Sequence, residues 1–454
     1  MRRYWLKIFL LTGVISFQIV AARAQEGRNS LKKYVSPVRS IDPSDTDFSD
    51  LAGLKTAIGD ARVVLLGEQT HGEGSTFLAK TRIIKFLHEK LGFEVLAFES
   101  GFYDCARIWE NVKNGGGLSD EVIGSLFYMY ATSKQMQPLF DYIQSGLRQE
   151  HSLIVTGFES QHSGVKAKTD LFVDFERFLK RGHPEMMDSA WKLFRRVSVA
   201  TFGSRDYRPG EGEKSVYFRE ILALKQVLGD DQPASGKLTD DQPTNGKLAD
   251  MDSLTGSAGF WYRVVCSIES QALRYWQMVA GNEVSVRDLQ MAKNLIWLSE
   301  KAYPGKKIIV WAHNVHISKS LTSLGPDSAE APKPSSGKAP GGADAFVPMG
   351  VTIHANFGPR AYHIGFSGSE GSYMDYVDSH IISLVPKTGK TVEGKLAGTG
   401  YAYAFINYRS SPGELRQKQP ASWADYMDIQ GRWPEVFDGL FFIKKVFPVD
   451  RTIK

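Results

Sequence analysis

The stretch RVVLLGEQTHGEG (62–74) ends a β-branched apolar run in glycine and then sets Glu68, Thr70 and His71 within four positions. A turn that only redirected the chain would favour Gly, Asn and Asp. A carboxylate beside an imidazole suits proton transfer instead, because histidine titrates near neutral pH and the carboxylate fixes its tautomer and raises its basicity. Three more apolar runs end in ionisable groups. EVLAF (94–98) leads to Glu99 and Ser100, LIVTG (153–157) to Glu159, Gln161 and His162, and KIIVW (307–311) to WAHNVHIS with His313, Asn314 and His316. Each group alone also has a structural reading. Glu68 can cap the helix opening near Glu73, Glu99 can pair with Arg107, His313 can donate to a core carbonyl, and Asn314 can hold a left-handed turn. Four in succession point to one shared site. There a histidine base would activate water, and a second histidine or an arginine would stabilise the developing oxyanion.

Such a site needs strands whose ends lie side by side. Strand-like runs fall at 62–66, 94–98, 153–157, 307–311, 361–366, 402–408 and 439–446. Helical apolar spacing occupies 76–91, with Phe77, Ile83, Ile84, Leu87 and Leu91, and again 134–149, with a further helix near 48–58. This alternation predicts an α/β fold with a largely parallel central sheet flanked by helices. Residues 165–303 read as an inserted helical subdomain. In such sheets ligands bind outside the carboxyl ends of the strands, where the ionisable groups fall. Two polar stretches read as flexible insertions: 230–256, containing the tandem copies DDQPASGKLT and DDQPTNGKLA, and 319–347, rich in Pro, Gly, Ser and Ala.

The 454 residues, 42% apolar and 23% charged, suit a globular chain. Residues 1–24 have a basic start, an apolar centre and Ala22-Arg23-Ala24, the layout of a secretory signal peptide cleaved after Ala24. The mature domain, 25–454, is therefore expected outside the cytoplasm, secreted or periplasmic, without stable membrane insertion. Cleavage removes four basic residues and no acid, lowering the formal charge from +5 to +1. A nucleic-acid partner then has no electrostatic support. Cys105 and Cys266 lie in helix-like apolar surroundings and read as buried thiols. No G-x-S-x-G elbow, Walker A loop, strand-borne G-x-G-x-x-G or H-E-x-x-H is present. His71, His313, His316, Glu68 and Glu99 are suitable metal-ligand types. A non-enzymatic metal-binding protein is thus the alternative to a hydrolase.

LLGEQTHGEGSTFLAKTRIIKFLHEKLGFEVLAFES (65–100) resembles the opening motif of the erythromycin esterase family. VRDLQMAKNLIWL (286–298), WAHNVHIS (311–318), MGVTIHANFGPRAYHIGFSGSEGSY (349–373) and FDGLFFIKKVFPV (437–449) follow in the family's order. The likeness spans roughly 50–450 and implies a metal-independent, cofactor-free hydrolase that opens macrolide lactones with water; a more distant similarity to exported haem- or metal-binding proteins implies the alternative, a non-enzymatic metal- or haem-binding protein using the same cluster. It assigns the base to His71, the paired acids to Glu68 and Glu99, the second histidine cluster to His313 and His316, and a helix pair to Arg287 and Asp288. Ser75 and Lys80 stand where the family's resistance enzymes usually carry Glu and Arg. Lys80, Arg287, Asp288 and Asn314 are expected to contact a small ester or lactone.

Overall fold

Short apolar runs form the strands, and each ends where glycine or a polar group interrupts it. The computed structural model describes residues 31–149, 152–229, 254–278, 283–325, 346–411 and 413–452. The expected signal peptide and most of the 230–256 and 319–347 insertions lie outside these residues. The strands are β1 (Val35–Val38), β2 (Val63–Leu66), β3 (Phe93–Gly101), β4 (Ile154–Glu159), β5 (Lys307–Trp311), β6 (Ala361–Met374), β7 (Ile381–Leu384), β8 (Tyr403–Asn407), β9 (Gln419–Ala424), β10 (Met427–Gly431) and β11 (Gly439–Val446).

One sheet runs β1-β8-β11-β6-β2-β5-β3-β4, with β7 paired to β6; β9 and β10 form a separate hairpin. Neighbours from β11 to β4 are all parallel. Strands β1, β8 and β7 pair antiparallel. The fold is α/β, with a mixed, mostly parallel sheet flanked by helices. From β2 the chain passes to β3 and β4, returns through a long helical run to lay β5 between β2 and β3, then moves to the far side of β2 with β6. That reversal opens a crevice at the carboxyl ends of β2, β5, β3 and β4. Leu66 and Phe98 both pair with Trp311, so three of the loops leave the sheet at one height.

The central strands are buried on both faces, which explains their near-continuous apolar runs. Val63, Leu65, Val95, Ala97, Ile308 and Val310 pack toward the helices between β4 and β5. Val64, Leu66, Leu96, Phe98, Ile309 and Trp311 pack against the helices Ala52–Ile58, Gly74–Leu91 and Gln137–Gly146. Strands β1, β7, β9 and β10 were not expected. They are short, and β1 and β9 carry proline while β7 and β10 face solvent, so none offers an apolar run to read. Cys105 and Cys266 are buried and free. Among the described residues no helix is long and apolar enough to cross a membrane.

At the end of β2 the backbone passes so close to Asn314 that a Cβ on Gly67 would lie 2.0 Å from Asn314 Oδ1. Gly67→Ala is therefore expected to lower stability by about 1–3 kcal/mol through overpacking. Gly146→Ala, where the added methyl meets nothing within 4 Å, should unfold in urea like the wild type. Equal midpoints for the two variants would refute this constraint.

Candidate active site

The loop after β2 is pinned at both of its glycines. Besides the Gly67 contact, a Cβ on Gly72 would meet Met374 O at 1.7 Å, and Gly72 O accepts from Met374 N and Val449 N. Between them Gln69 ties the loop to the β9–β10 hairpin: its Nε2 donates to Ser422 O, its Oε1 accepts from Tyr426 N, and its backbone O from Asp425 N. Glu68 and His71 thus project from a fixed frame.

Glu68 is fully buried, and both of its carboxylate oxygens are saturated. Oε1 accepts from His71 Nδ1 and from the Tyr130 hydroxyl, each at 2.7 Å. Oε2 accepts from Lys80 Nζ at 2.7 Å and Trp311 Nε1 at 2.9 Å. Burial works against its charge, but Lys80 and His71 outweigh it and hold the carboxyl below its usual pKa. Burial dominates at Lys80, whose pKa falls to about 8 despite Glu68. With Nδ1–H committed to Glu68, the imidazole of His71 presents Nε2 to the cleft it lines. Edge contacts from Phe127 (4.8 Å between centroids) and Tyr376 (5.1 Å) hold the ring. The Phe127 loop is anchored in turn by its backbone N donating to Ser100 Oγ.

A second network faces it. Arg287, on the helix Glu283–Trp297, donates through Nε and Nη2 to Glu159 Oε2 and through Nη2 to Glu99 Oε1 at 3.0 Å. Glu99 Oε2 accepts from His313 backbone N at 2.9 Å. His316 Nδ1 donates to Asp288 Oδ2 at 2.8 Å, and its Nε2 lies 3.2 Å from Glu99 Oε1 and 3.0 Å from Arg287 Nη1. A neutral ring would accept from Arg287, whereas an imidazolium donates to Glu99. Burial disfavours the cation, yet Asp288 and Glu99 outweigh it and raise the pKa to about 10, so we assign the imidazolium. Glu99 is correspondingly held well below its usual range by His316 and Arg287, against the effect of burial.

His313 is different. Its Nε2 donates to Gln69 O at 2.6 Å and its Nδ1 accepts from Val315 N at 3.2 Å, capping the short helix Asn314–Ile317. Burial, reinforced by repulsion from His71, lowers its pKa to about 3. It is a neutral ring with both nitrogens occupied, which does not suit the expected part in oxyanion or leaving-group chemistry. Asn314 begins that helix and makes no left-handed turn. Its amide bonds Phe366 N and O and so ties the site to β6.

Of the expected site residues, His71, Glu99, Arg287, His313 and His316 line one cleft of about 820 Å³, within the range of small-molecule sites. Glu68, Lys80, Asp288 and Asn314 have no exposed surface and stand behind it. Direct substrate contact by Lys80, Asp288 and Asn314 is therefore corrected to support of the residues that reach the cleft. Arg107 pairs with Glu110 and Asp174, leaving Glu99 to Arg287. Thr70 is buried, and its hydroxyl has no partner among the described residues. His162 stacks on Phe202 and bonds Gln271 away from the cleft. The expected metal-ligand types do not converge: His71 Nδ1 and all four nitrogens of His313 and His316 face protein partners. Among the described residues only Asp375, Asp378 and His380, on the surface after β6, bring three such donors together. Tyr130, Trp311, Tyr376, Asp425 and Arg274 were not anticipated. Lys80 alone left a readable trace, a cation on the Phe77–Ile84–Leu87 stripe of its helix.

The erythromycin esterase family model matches residues 88–446. "Putative hydrolase YbfO" of Bacillus subtilis is 25% identical over 448 residues, covering 95% of this chain and 94% of its own. Erythromycin esterase type II of Escherichia coli is 23% identical over 418 residues, covering 88% and 93%. Among solved structures, a Bacillus cereus protein superposes with a TM-score of 0.71 at 20% identity, covering 94% of this chain and 98% of that one. A histidine-to-asparagine mutant of the erythromycin esterase EreC, in its open conformation, gives 0.62 at 16%, covering 91% and 98%. With its two facing networks at the ends of β2, β5, β3 and β4, the chain belongs to the erythromycin esterase family.

Proposed function

We propose that this hydrolase cleaves a carboxylic ester or macrolide-type lactone with water activated by His71. The observation that carries the reading is the fully buried Glu68 holding His71 Nδ1, which leaves Nε2 as a base at the cleft. Nε2 takes a proton from water as the water oxygen attacks the carbonyl. Arg287 and the His316 imidazolium, on the facing wall, stabilise the oxyanion that forms. Collapse breaks the bond to the alkoxide, which takes the proton back from His71, giving an acid and an alcohol. No covalent enzyme intermediate is needed.

His71→Ala is expected to lower kcat/KM for an activated aryl ester or erythromycin by about 10²–10⁴-fold and to cost about 1–3 kcal/mol of stability, because it leaves the buried Glu68 one donor short. Unchanged turnover in the folded variant would sink the assignment. Glu68→Gln should also cost about 3–5 kcal/mol in urea unfolding, because it leaves the Lys80 charge buried without its partner. The pH profile tests His316. Its raised pKa keeps it protonated until about pH 10, so the cation's contribution is present below that pH and lost above it. In Asp288→Asn the alkaline limb of kcat/KM should move down by about one to three units. A limb that stays in place would show that His316 need not be charged.

A further inference from the structure

We propose that the cleft carries an anion subsite formed by Arg274 and Arg205 around Tyr275, which seats a carboxylate or phosphate group of the substrate. The inference rests on the hydrolase reading and narrows its substrate class. All three residues line the cleft together with the catalytic groups. Arg287 is paired with Glu159 and Glu99 through Nε and Nη2. Among the described residues, Arg274 and Arg205 have no carboxylate partner.

Each guanidinium instead lies over the Tyr275 ring, Arg274 at 5.9 Å and Arg205 at 5.6 Å from the centroid. Tyr275 is oriented by its hydroxyl donating to Gln161 Oε1 at 3.1 Å, and Gln161 faces the same cleft. Arg274 Nη1 is buried and has no acceptor. A buried, charged donor left without a partner is costly, and planar guanidinium is the group best matched to a two-oxygen anion. Burial, then repulsion from Arg287, with a smaller part from Arg205, lowers the pKa of Arg274 and outweighs the opposing pull of Glu159 and Tyr275.

The charges are unevenly placed: the acids gather around Arg287 and His316, and Asp425 beside His71, leaving Arg274 and Arg205 without an acid of their own. A bound anion would relieve their repulsion. Asp425 also lines the cleft, within electrostatic reach of His71, and Glu159 attracts Arg274 from the Arg287 side.

Two matched esters test the subsite: mono-4-nitrophenyl glutarate, which carries a free carboxylate, and neutral 4-nitrophenyl pentanoate. Wild type should prefer the anionic ester by about tenfold or more in kcat/KM, the worth of one charge-assisted bond pair. Arg274→Gln should erase that preference while leaving the neutral ester within about twofold, which also shows that the variant is folded. Arg205→Gln, at the exposed rim, should have a smaller effect of the same sign. No preference in wild type, or an equal loss on both esters, would overturn the subsite. Calorimetric titration with glutarate and with inorganic phosphate separates this proposal from the hydrolase reading. Binding to wild type but not to Arg274→Gln upholds the subsite even if neither ester is cleaved, and the tighter anion identifies the group. Equal binding by both proteins, or none by wild type, dismisses the subsite whatever the turnover.

Discussion

A carboxylate without contact to water stands at the end of β2, and the rest of the site depends on keeping it charged. Burying an ion costs several kcal/mol unless its lone pairs are met and its charge is balanced. Glu68 meets that condition with four donors from separate parts of the chain: His71 on its own loop, Lys80 on the following helix, Tyr130 on a later helix, and Trp311 on β5. None of the last three is close in sequence, so the dyad exists only when β5 lies beside β2 and both helices are docked. The folded core and the tautomer that Glu68 imposes on His71 are one arrangement.

The facing network solves the opposite problem. It concentrates Glu99, Glu159 and Asp288 in a small buried volume, where like charges would repel, and pairs them with Arg287 and His316. Glu99 joins the two halves. One of its oxygens accepts from the His313 backbone, and His313 in turn bonds the backbone between Glu68 and His71. His313 is thus a neutral strut between two charged clusters, and its low pKa fits that part better than proton transfer. A site assembled this way can act on a developing oxyanion without reorganising at the moment of reaction.

What was legible in the sequence is what periodicity and strand-end chemistry record. The continuous apolar runs at β2, β3, β4 and β5 marked strands buried on both faces, and the ionisable residues just after them marked the crevice. The polar partners were not legible because they arrive from elsewhere. Tyr130 sits in a one-turn helix and Asp425 in a hairpin turn, where its φ of 46° places it in the left-handed region. Neither lies in a run with a period. Lys80 was misread as a substrate contact because its charge was weighed and its position was not. It falls with Phe77, Ile84 and Leu87 on the buried stripe of its helix, and a cation there signals a buried partner.

That placement changes what the two departures from the family's pattern mean. Ser75 is buried, and its hydroxyl accepts from Phe447 N behind the loop. Lys80 reaches one Glu68 oxygen and the Ala312 carbonyl, a geometry that a compact ammonium satisfies without the planar fork of arginine. Both residues are buried and neither lines the cleft: Lys80 supports Glu68, and Ser75 holds the Phe447 backbone. The groups that do face the cleft are the aromatic rim of Phe127, Tyr128 and Tyr376, the Asp425 carboxylate, and the Arg274–Tyr275–Arg205 stack. Under the proposed reading, the Glu68 support behind His71 can stay constant while the groups that line the cleft vary.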